Sequence, residues 1–204
     1  MSSLPPHIVK ICGVTNPDDA LAALEAGANA LGFNFYPKSP RCISPTAAAQ
    51  IAALAPNALK AGVFVDEDPA RVAEICRLAG LDLAQLHGGE APANIPYWRA
   101  CRVPVSGDFL FPDEPGATAF LLDTASETLP GGTGQSFPWT AARTTAHRVI
   151  VAGGLSAANV QQAIREAQPW GVDACSRIES NPGRKDHRKM KEFIHAALAA
   201  FESC

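Results

Sequence analysis

A few short motifs in this chain carry side chains suited to acid–base or anion chemistry. Cys12 stands in Lys10-Ile11-Cys12-Gly13, and Asp123 in Leu121-Leu122-Asp123-Thr124. A thiol and a carboxyl can both transfer protons when their surroundings tune them. Gly153 and Gly154 lie in Ala152-Gly153-Gly154-Leu155. Lacking side chains, they let their N–H groups approach a phosphate closely. Ser176, in Asp173-Ala174-Cys175-Ser176-Arg177-Ile178-Glu179, adds a hydroxyl donor. Arg41 closes Tyr36-Pro37-Lys38-Ser39-Pro40-Arg41, and its planar fork matches a carboxylate. Each has a plainer reading when taken alone. A lone cysteine at a strand end is usually a small buried residue, and an Asp before a Thr can cap a loop. A Gly pair can be a turn into a helix starting at Ser156, and a loop arginine is usually solvated.

The elements around these motifs decide between the readings. Short apolar runs alternate with amphipathic stretches, the pattern of a parallel sheet covered by helices. The runs are His7–Ile11, Ala30–Asn34, Lys60–Val65, Leu83–Leu86, Arg99–Val103, Ala119–Leu122, Arg148–Ala152 and Val172–Cys175. Helical spacing joins Val72, Ile75, Cys76 and Ala79, then Val160, Ala163, Ile164 and Ala167, then Met190, Phe193, Ile194, Ala197, Leu198 and Phe201. A weak repeat, Gly-x-Asx-apolar, marks helix ends at Gly27, Gly80 and Gly171, where Gly suits the left-handed position past a helix. Eight strands with no Pro/Ser-rich linker predict an α/β fold, a single-domain (β/α)8 TIM barrel spanning residues 1–204. Pro112, Pro115 and Gly116 forbid a regular helix after the fifth strand. The fifth helix is therefore expected to be missing or shortened, with Phe109, Leu110 and Phe111 covering that side. In such a barrel chemistry sits at the C-terminal ends of the strands, where all the motifs fall.

Composition narrows the partners. The 204 residues include 17 Lys+Arg and 20 Asp+Glu, a net charge of −3, with 47% hydrophobic and 18% charged residues. Disorder is excluded, and no basic face for nucleic acid or a membrane surface is expected. A small anion needs only an arginine and a few N–H groups. The six cysteines form no C-x-x-C pair, and the five histidines are scattered, so no metal site is expected. No nucleotide fingerprint appears, and no cofactor is expected. Met1–His7 has neither a basic nor an apolar leader region, and the longest uncharged run, Cys42–Leu59, is broken by prolines and polar residues. A reduced, cytoplasmic protein is the expectation, with the oligomeric state left open.

Taken together, the motifs resemble the phosphoribosylanthranilate isomerase family of tryptophan biosynthesis. Its pattern of K-I-C-G, G-F-x-F-Y-P-K-S-x-R, V-Q-L-H-G, L-L-D-T, G-G-[ST]-G, A-G-G-L and V-D-x-x-S-x-x-E is matched in order from Lys10 to Glu179, Gly131–Gly134 included, with Ala84 where V-Q-L-H-G has Val. The resemblance implies an aldose–ketose isomerase that carries out an Amadori rearrangement by general acid–base catalysis. It implies Cys12 as base and Asp123 as acid. A free thiol has a pKa of about 8.5, so Cys12 must be helped towards thiolate by N–H groups or positive charge. Asp123 must be held protonated, by burial or a nearby anion. The resemblance also implies a substrate that is a small phosphorylated molecule with an aryl carboxylate. Arg41 would take the carboxylate, and Gly153, Gly154 and Ser176 the phosphate.

Some positions stay open at this level. His87 either orients part of the site or is a satisfied structural histidine. Asp173 either holds a sugar hydroxyl at the barrel mouth or starts its strand, as Asn29 and Asp82 do. Arg177 departs from the small residue the family carries, Cys175 often stands as Ser, and Gln135 replaces a Lys. The Arg177 backbone N–H can serve phosphate in any case. Lack of room beside Gly153 and Gly154 favours an outward side chain. The alternatives are a histidine-pathway aminoaldose isomerase, which carries a carboxylate where Cys12 stands and needs two phosphate sites, and a phosphate-binding barrel without catalysis.

Overall fold

The computed structural model describes residues 5–106, 108–124, 137–143 and 146–203. Strands β1 (Ile8–Ile11), β2 (Ala30–Asn34), β3 (Leu59–Val65), β4 (Leu83–His87), β5 (Tyr97–Val103), β6 (Ala119–Thr124), β7 (Val149–Val151) and β8 (Gly171–Ala174) follow one another around a closed parallel barrel. β8 pairs with β1 to close it. Each coincides with an expected strand to within two residues at its ends. β5 begins earlier than expected, at Tyr97, because Tyr97 and Trp98 are buried. β8 runs from Gly171 and stops before Cys175.

Helices α1 (Pro17–Glu25), α2 (Pro45–Ala52), α3 (Pro69–Ala79), α4 (Val160–Ala167) and α5 (His187–Glu202) pack outside. The first three start alike. Asn16, Ser44 or Asp68 accepts a backbone N–H as N-cap, and a proline with no N–H to lose follows. α4 begins at Val160 rather than Ser156. Asn159 Oδ1 accepts the Ser156 N–H at 2.8 Å and its Nδ2 donates to the Gly154 carbonyl at 3.1 Å, which holds a turn ahead of the helix. The third copy of the Gly repeat also differs. The left-handed residue after α4 is Gln168, while Gly171 lies inside β8, where a Cβ would come 2.6 Å from Ile8 Cβ.

No helix lies between Val103 and Ala119 among the described residues. Phe109 and Phe111 pack there, with Phe111 5.4 Å from the Phe120 ring, but Leu110 is 91% exposed and covers nothing. A second unit also lacks its helix. Residues 88–96, Gly88-Gly89-Glu90-Ala91-Pro92-Ala93-Asn94-Ile95-Pro96, link β4 to β5 directly. Gly88, Gly89 and Asn94 have positive φ and two prolines lack N–H donors, so no helical ladder can form. Between β6 and β7 the described residues hold only a 3₁₀ turn, Trp139–Ala142.

The apolar residues divide into two layers. Between strands and helices, Val9, Ile11, Leu31, Phe33, Phe64 and Leu122 meet helix residues such as Val72, Ile164 and Phe193. Inside the barrel, Trp98 fills the space left by Ala30, Ala61, Ala119 and Ala152, against Ile8, Leu83, Leu121 and Ile150. Strand side chains alternate, so the inner face of β1 reads Ile8, Lys10 and then Cys12 beyond the strand. On β4 it reads Leu83, Gln85, His87, on β6 Ala119, Leu121, Asp123, and on β8 Gly171, Asp173 and then Cys175. An apolar plug at the N-terminal end thus gives way to a polar layer at the C-terminal end.

Candidate active site

The polar layer is built on one register. Lys10 stands opposite Asp173 across β1 and β8, and Lys10 Nζ lies 3.0 Å from Asp173 Oδ1 with both groups buried. Asp173 therefore neither opens its strand nor faces solvent at the mouth. It faces the barrel interior, where burial pushes its pKa up to about 7 against the pull of Lys10. Lys10 itself is raised; burial opposes its charge, but Asp173 and Cys12 outweigh that.

Cys12 follows β1 and is buried, its N–H donating to Ala174 O at 2.9 Å. A hydrogen bond from Cys175 holds its thiol well below the usual range, with Lys10 and Lys185 assisting and burial opposing. Asp123 sits at the inner face of β6 and is raised by burial, and the Cys12 charge adds to this against the Thr124 N–H and Arg102. Arg102 stands opposite Asp123 in the β5–β6 register. The two groups are thus shifted in opposite senses, the thiol towards its charged form and the carboxyl towards its neutral one. Pairs displaced in this way divide into base and acid.

His87 Nε2 lies 2.8 Å from Gln85 Nε2, and burial depresses its pKa to about 4, so the ring is neutral over the physiological range. Among the described residues the other end of the buried Gln85 amide has no partner, and neither has Thr124 Oγ1. Buried polar atoms are rarely left unpaired, so both offer hydrogen bonds to a guest.

Arg41 reaches across from the loop after β2 to Glu179. Its Nε lies 2.9 Å from Oε1 and its Nη2 2.7 Å from Oε2, a bidentate pair. Glu179 also accepts from Lys185 Nζ at 2.9 Å. Burial opposes the Glu179 charge, but the Arg41 and Lys185 bonds hold its pKa below the usual value. Lys10, Arg41 and Lys185 face two carboxylates, Asp173 and Glu179. The cluster is short of one negative charge, which a Cys12 thiolate supplies.

Gly153 and Gly154 follow β7 with φ of +85° and +66°. A Cβ on Gly153 would come 2.6 Å from Asp123 Oδ1 and 2.8 Å from Thr124 N, so glycine here gives the acid its room. None of the described residues lies within 4 Å of the Cβ position of Gly154. Ser176 and Arg177 are exposed on a 3₁₀ turn, Ser176–Ile178, at the rim beyond β8. The expected site residues therefore gather at one end of the barrel. Gly131–Gly134 and Gln135 lie outside the described residues. Among the described residues no group of His, Cys, Asp and Glu has a metal-holding arrangement, and no helix is long and apolar enough to cross a membrane.

Sequence reasoning gave no role to Lys10, Gln85, Cys175, Glu179 or Lys185. A signal existed for two of them. Lys10 and Gln85 interrupt apolar strands on the face that alternation turns inward. Glu179 and Lys185 lie at the hairpin of β9 (Glu179–Asn181) and β10 (Arg184–Lys185), whose return over the rim leaves no periodic mark.

Gly153→Ala is expected to lower kcat by about tenfold or more while the barrel persists. The methyl must displace Asp123 or Thr124 and sits on a backbone that L-residues avoid. Steady-state rates beside a thermal melt check this, and an unaltered kcat would show that Gly153 does not set the position of Asp123.

Residues 9–196 match the family model described as N-(5'phosphoribosyl)anthranilate (PRA) isomerase. The N-(5'-phosphoribosyl)anthranilate isomerase of Solibacter usitatus (strain Ellin6076) is 55% identical over 197 residues, covering 95% of this chain and 98% of that relative. The crystal structure of phosphoribosyl anthranilate isomerase from Thermotoga maritima superposes with a TM-score of 0.80 at 36% identity, over 95% of this chain and 99% of that one. A phosphoribosyl anthranilate isomerase in complex with reduced 1-(o-carboxyphenylamino)-1-deoxyribulose 5-phosphate gives 0.77 at 33%, over the same shares. Likeness of this extent, end to end and in both sequence and fold, places the chain in the N-(5'-phosphoribosyl)anthranilate isomerase family.

Proposed function

We propose that the chain isomerises N-(5'-phosphoribosyl)anthranilate to 1-(2-carboxyphenylamino)-1-deoxyribulose 5-phosphate, with Asp123 as acid and Cys12 as base. The observation that carries the division of labour is the opposed tuning of these two groups on facing sides of one barrel mouth. Asp123 gives its proton to the furanose oxygen as the C1–O bond breaks and the anilino nitrogen forms a double bond to C1. Cys12 thiolate then takes the proton from C2. The enolamine that results becomes the ketose when a proton adds to C1 and the C2 hydroxyl gives one up; with Cys12 giving back its proton and Asp123 regaining one, the reaction neither gains nor loses protons. The pathway step is in tryptophan biosynthesis, with a small phosphorylated molecule as the partner and no cofactor. Cytoplasmic placement is supported by the free thiols of Cys12, Cys42, Cys76, Cys101 and Cys175.

The phosphate is assigned to the backbone N–H groups of Gly153 and Gly154, the Ser176 hydroxyl, and the N–H of Arg177. The positive φ at both glycines and the room the described residues leave beside Gly154 support this, as does the exposed position of Ser176. The Arg177 side chain is exposed and is assigned no substrate contact. Asp173 serves through Lys10, and His87, held neutral, is a hydrogen-bonding wall of the sugar site. Arg41 takes the anthranilate carboxylate. Glu179 fixes the fork at Nε and Nη2, leaving the Nη1 edge outside that pair.

The test is the loss of N-(5'-phosphoribosyl)anthranilate fluorescence on addition of the purified protein; no loss above the uncatalysed rate would overturn the reading. Arg41→Ala is expected to weaken substrate binding by about 1.5–3 kcal/mol, the range for a charge-assisted pair. Lys185 still neutralises Glu179 in that variant, so no carboxylate is orphaned. An analogue lacking the carboxylate should bind both proteins alike, and discrimination by that analogue would place Arg41 elsewhere.

A further inference from the structure

Cys175 lies across the β1–β8 seam from Cys12 but takes no part in the proton transfers just described. The β1–β8 register pairs Lys10 with Asp173 and Ile11 with Ala174, so position 12 falls opposite position 175. The Cys12 N–H bond to Ala174 O continues the ladder to that point. Alternation then turns both sulfurs to the inner face. Lys185 Nζ is anchored by Glu179 Oε1 at 2.9 Å and by the Cys175 carbonyl at 3.3 Å, and lies 3.9 Å from Cys175 Sγ. An ammonium has donors only, so it occupies the acceptor side of the Cys175 sulfur. The S–H of Cys175 is then left to point at Cys12.

We propose that Cys175 is a positioning residue for the isomerase, its S–H donating to Cys12 Sγ and holding that sulfur as a thiolate aimed at the substrate. The chain Glu179, Lys185, Cys175, Cys12 runs from the β9–β10 hairpin to the base. Donation fixes the direction of the lone pair that must meet the C2 proton, as well as the charge. Of the two sulfurs Cys12 is the one that ionises, since Lys10 stands beside it and acts on it in addition to Lys185. The bond to Cys12, burial and the Cys12 charge push Cys175 up. The other charged or titratable groups facing Cys12 are Asp173, Arg41, His87 and Asp123.

This rests on Cys12 being the base, and the test separates the two ideas. The pH midpoint of Cys12 ionisation is read from thiolate ultraviolet absorbance, taken as the difference between each protein and its Cys12→Ser counterpart. Cys175→Ala is expected to raise that midpoint by about one to two units. The acid limb of kcat/KM should move with it while KM changes little. Cys175→Ser should restore most of both, and Cys175→Val, closer in volume, should behave as Ala does. A packing role alone would leave the midpoint in place, and would be served by Val and not by Ser. If Cys175→Ala and Cys175→Val ionise as wild type, the proposal is wrong, even with Cys12→Ser inactive and the base assignment intact. If Cys12→Ser turns over normally, the base assignment is wrong, whatever the absorbance shows.

Discussion

Asp123→Asn and Cys12→Ser are each expected to lower kcat by about a hundredfold or more, the scale of a lost general acid or base. An amide at position 123 keeps the volume but has no acidic proton to give the ring oxygen. Burial, which raises the Asp123 pKa and keeps the proton available, has nothing to act on in Asn. A serine at position 12 keeps the hydrogen bonds, but an alcohol is far too weak an acid to be deprotonated by the surroundings that suffice for a thiol. Binding should fall much less in both variants. Neither side chain is assigned to the phosphate or the carboxylate, where most of the binding energy is placed. The measurement is turnover beside the affinity for a reduced, non-reacting product analogue. Near wild-type turnover in either variant would remove that residue from its role, and a parallel loss of analogue binding would make the defect one of structure.

Much of this site was legible because alternation in a strand is a strict rule. Once Ile8–Ile11 is a strand and Ile8 is inside, Lys10 and Cys12 are inside too. The same step places His87 and Asp123. The fold followed from eight apolar runs, and Pro112, Pro115 and Gly116 marked the missing fifth helix. The helix missing after β4 was written as plainly, in Gly88, Gly89, Pro92 and Pro96, and shows that prolines near a strand carry the same message. What the sequence did not contain was the long-range pairing of charges. Arg41 reads as a lone cation for a ligand, and nothing nearby announces Glu179. Lys10 meets Asp173 only because the barrel closes β8 onto β1. Cys175 has Cys12 and Lys185 as neighbours, and both come from other elements. Contacts made by closure have no local period, and a single chain does not display them.

Lys10→Met should therefore be among the most damaging single changes to stability, although Lys10 is assigned no proton to move. Removing one partner of a buried ion pair costs about 3–5 kcal/mol, because the other charge stays buried without compensation. Here Asp173 is the orphan, and Cys12 loses the ammonium beside it. The loss should depend on pH in a definite sense. Asp173 is raised in the folded barrel, to about 7 from 3.8, so the folded state holds more protons than the unfolded one across that window. Stability from this group falls as pH rises through it. Without Lys10 the folded pKa climbs further, and the fall continues above neutrality, where the wild type has levelled off. Urea unfolding at mildly acidic and mildly alkaline pH should show Lys10→Met closer to wild type in acid, where Asp173 is protonated, and furthest below it in alkali. Adding Asp173→Asn should recover a substantial part of the alkaline loss, because a neutral amide needs no counter-charge. A Lys10→Met protein as stable as wild type in alkali would show that Asp173 is neutral there already, and that Lys10 answers to the Cys12 thiolate alone.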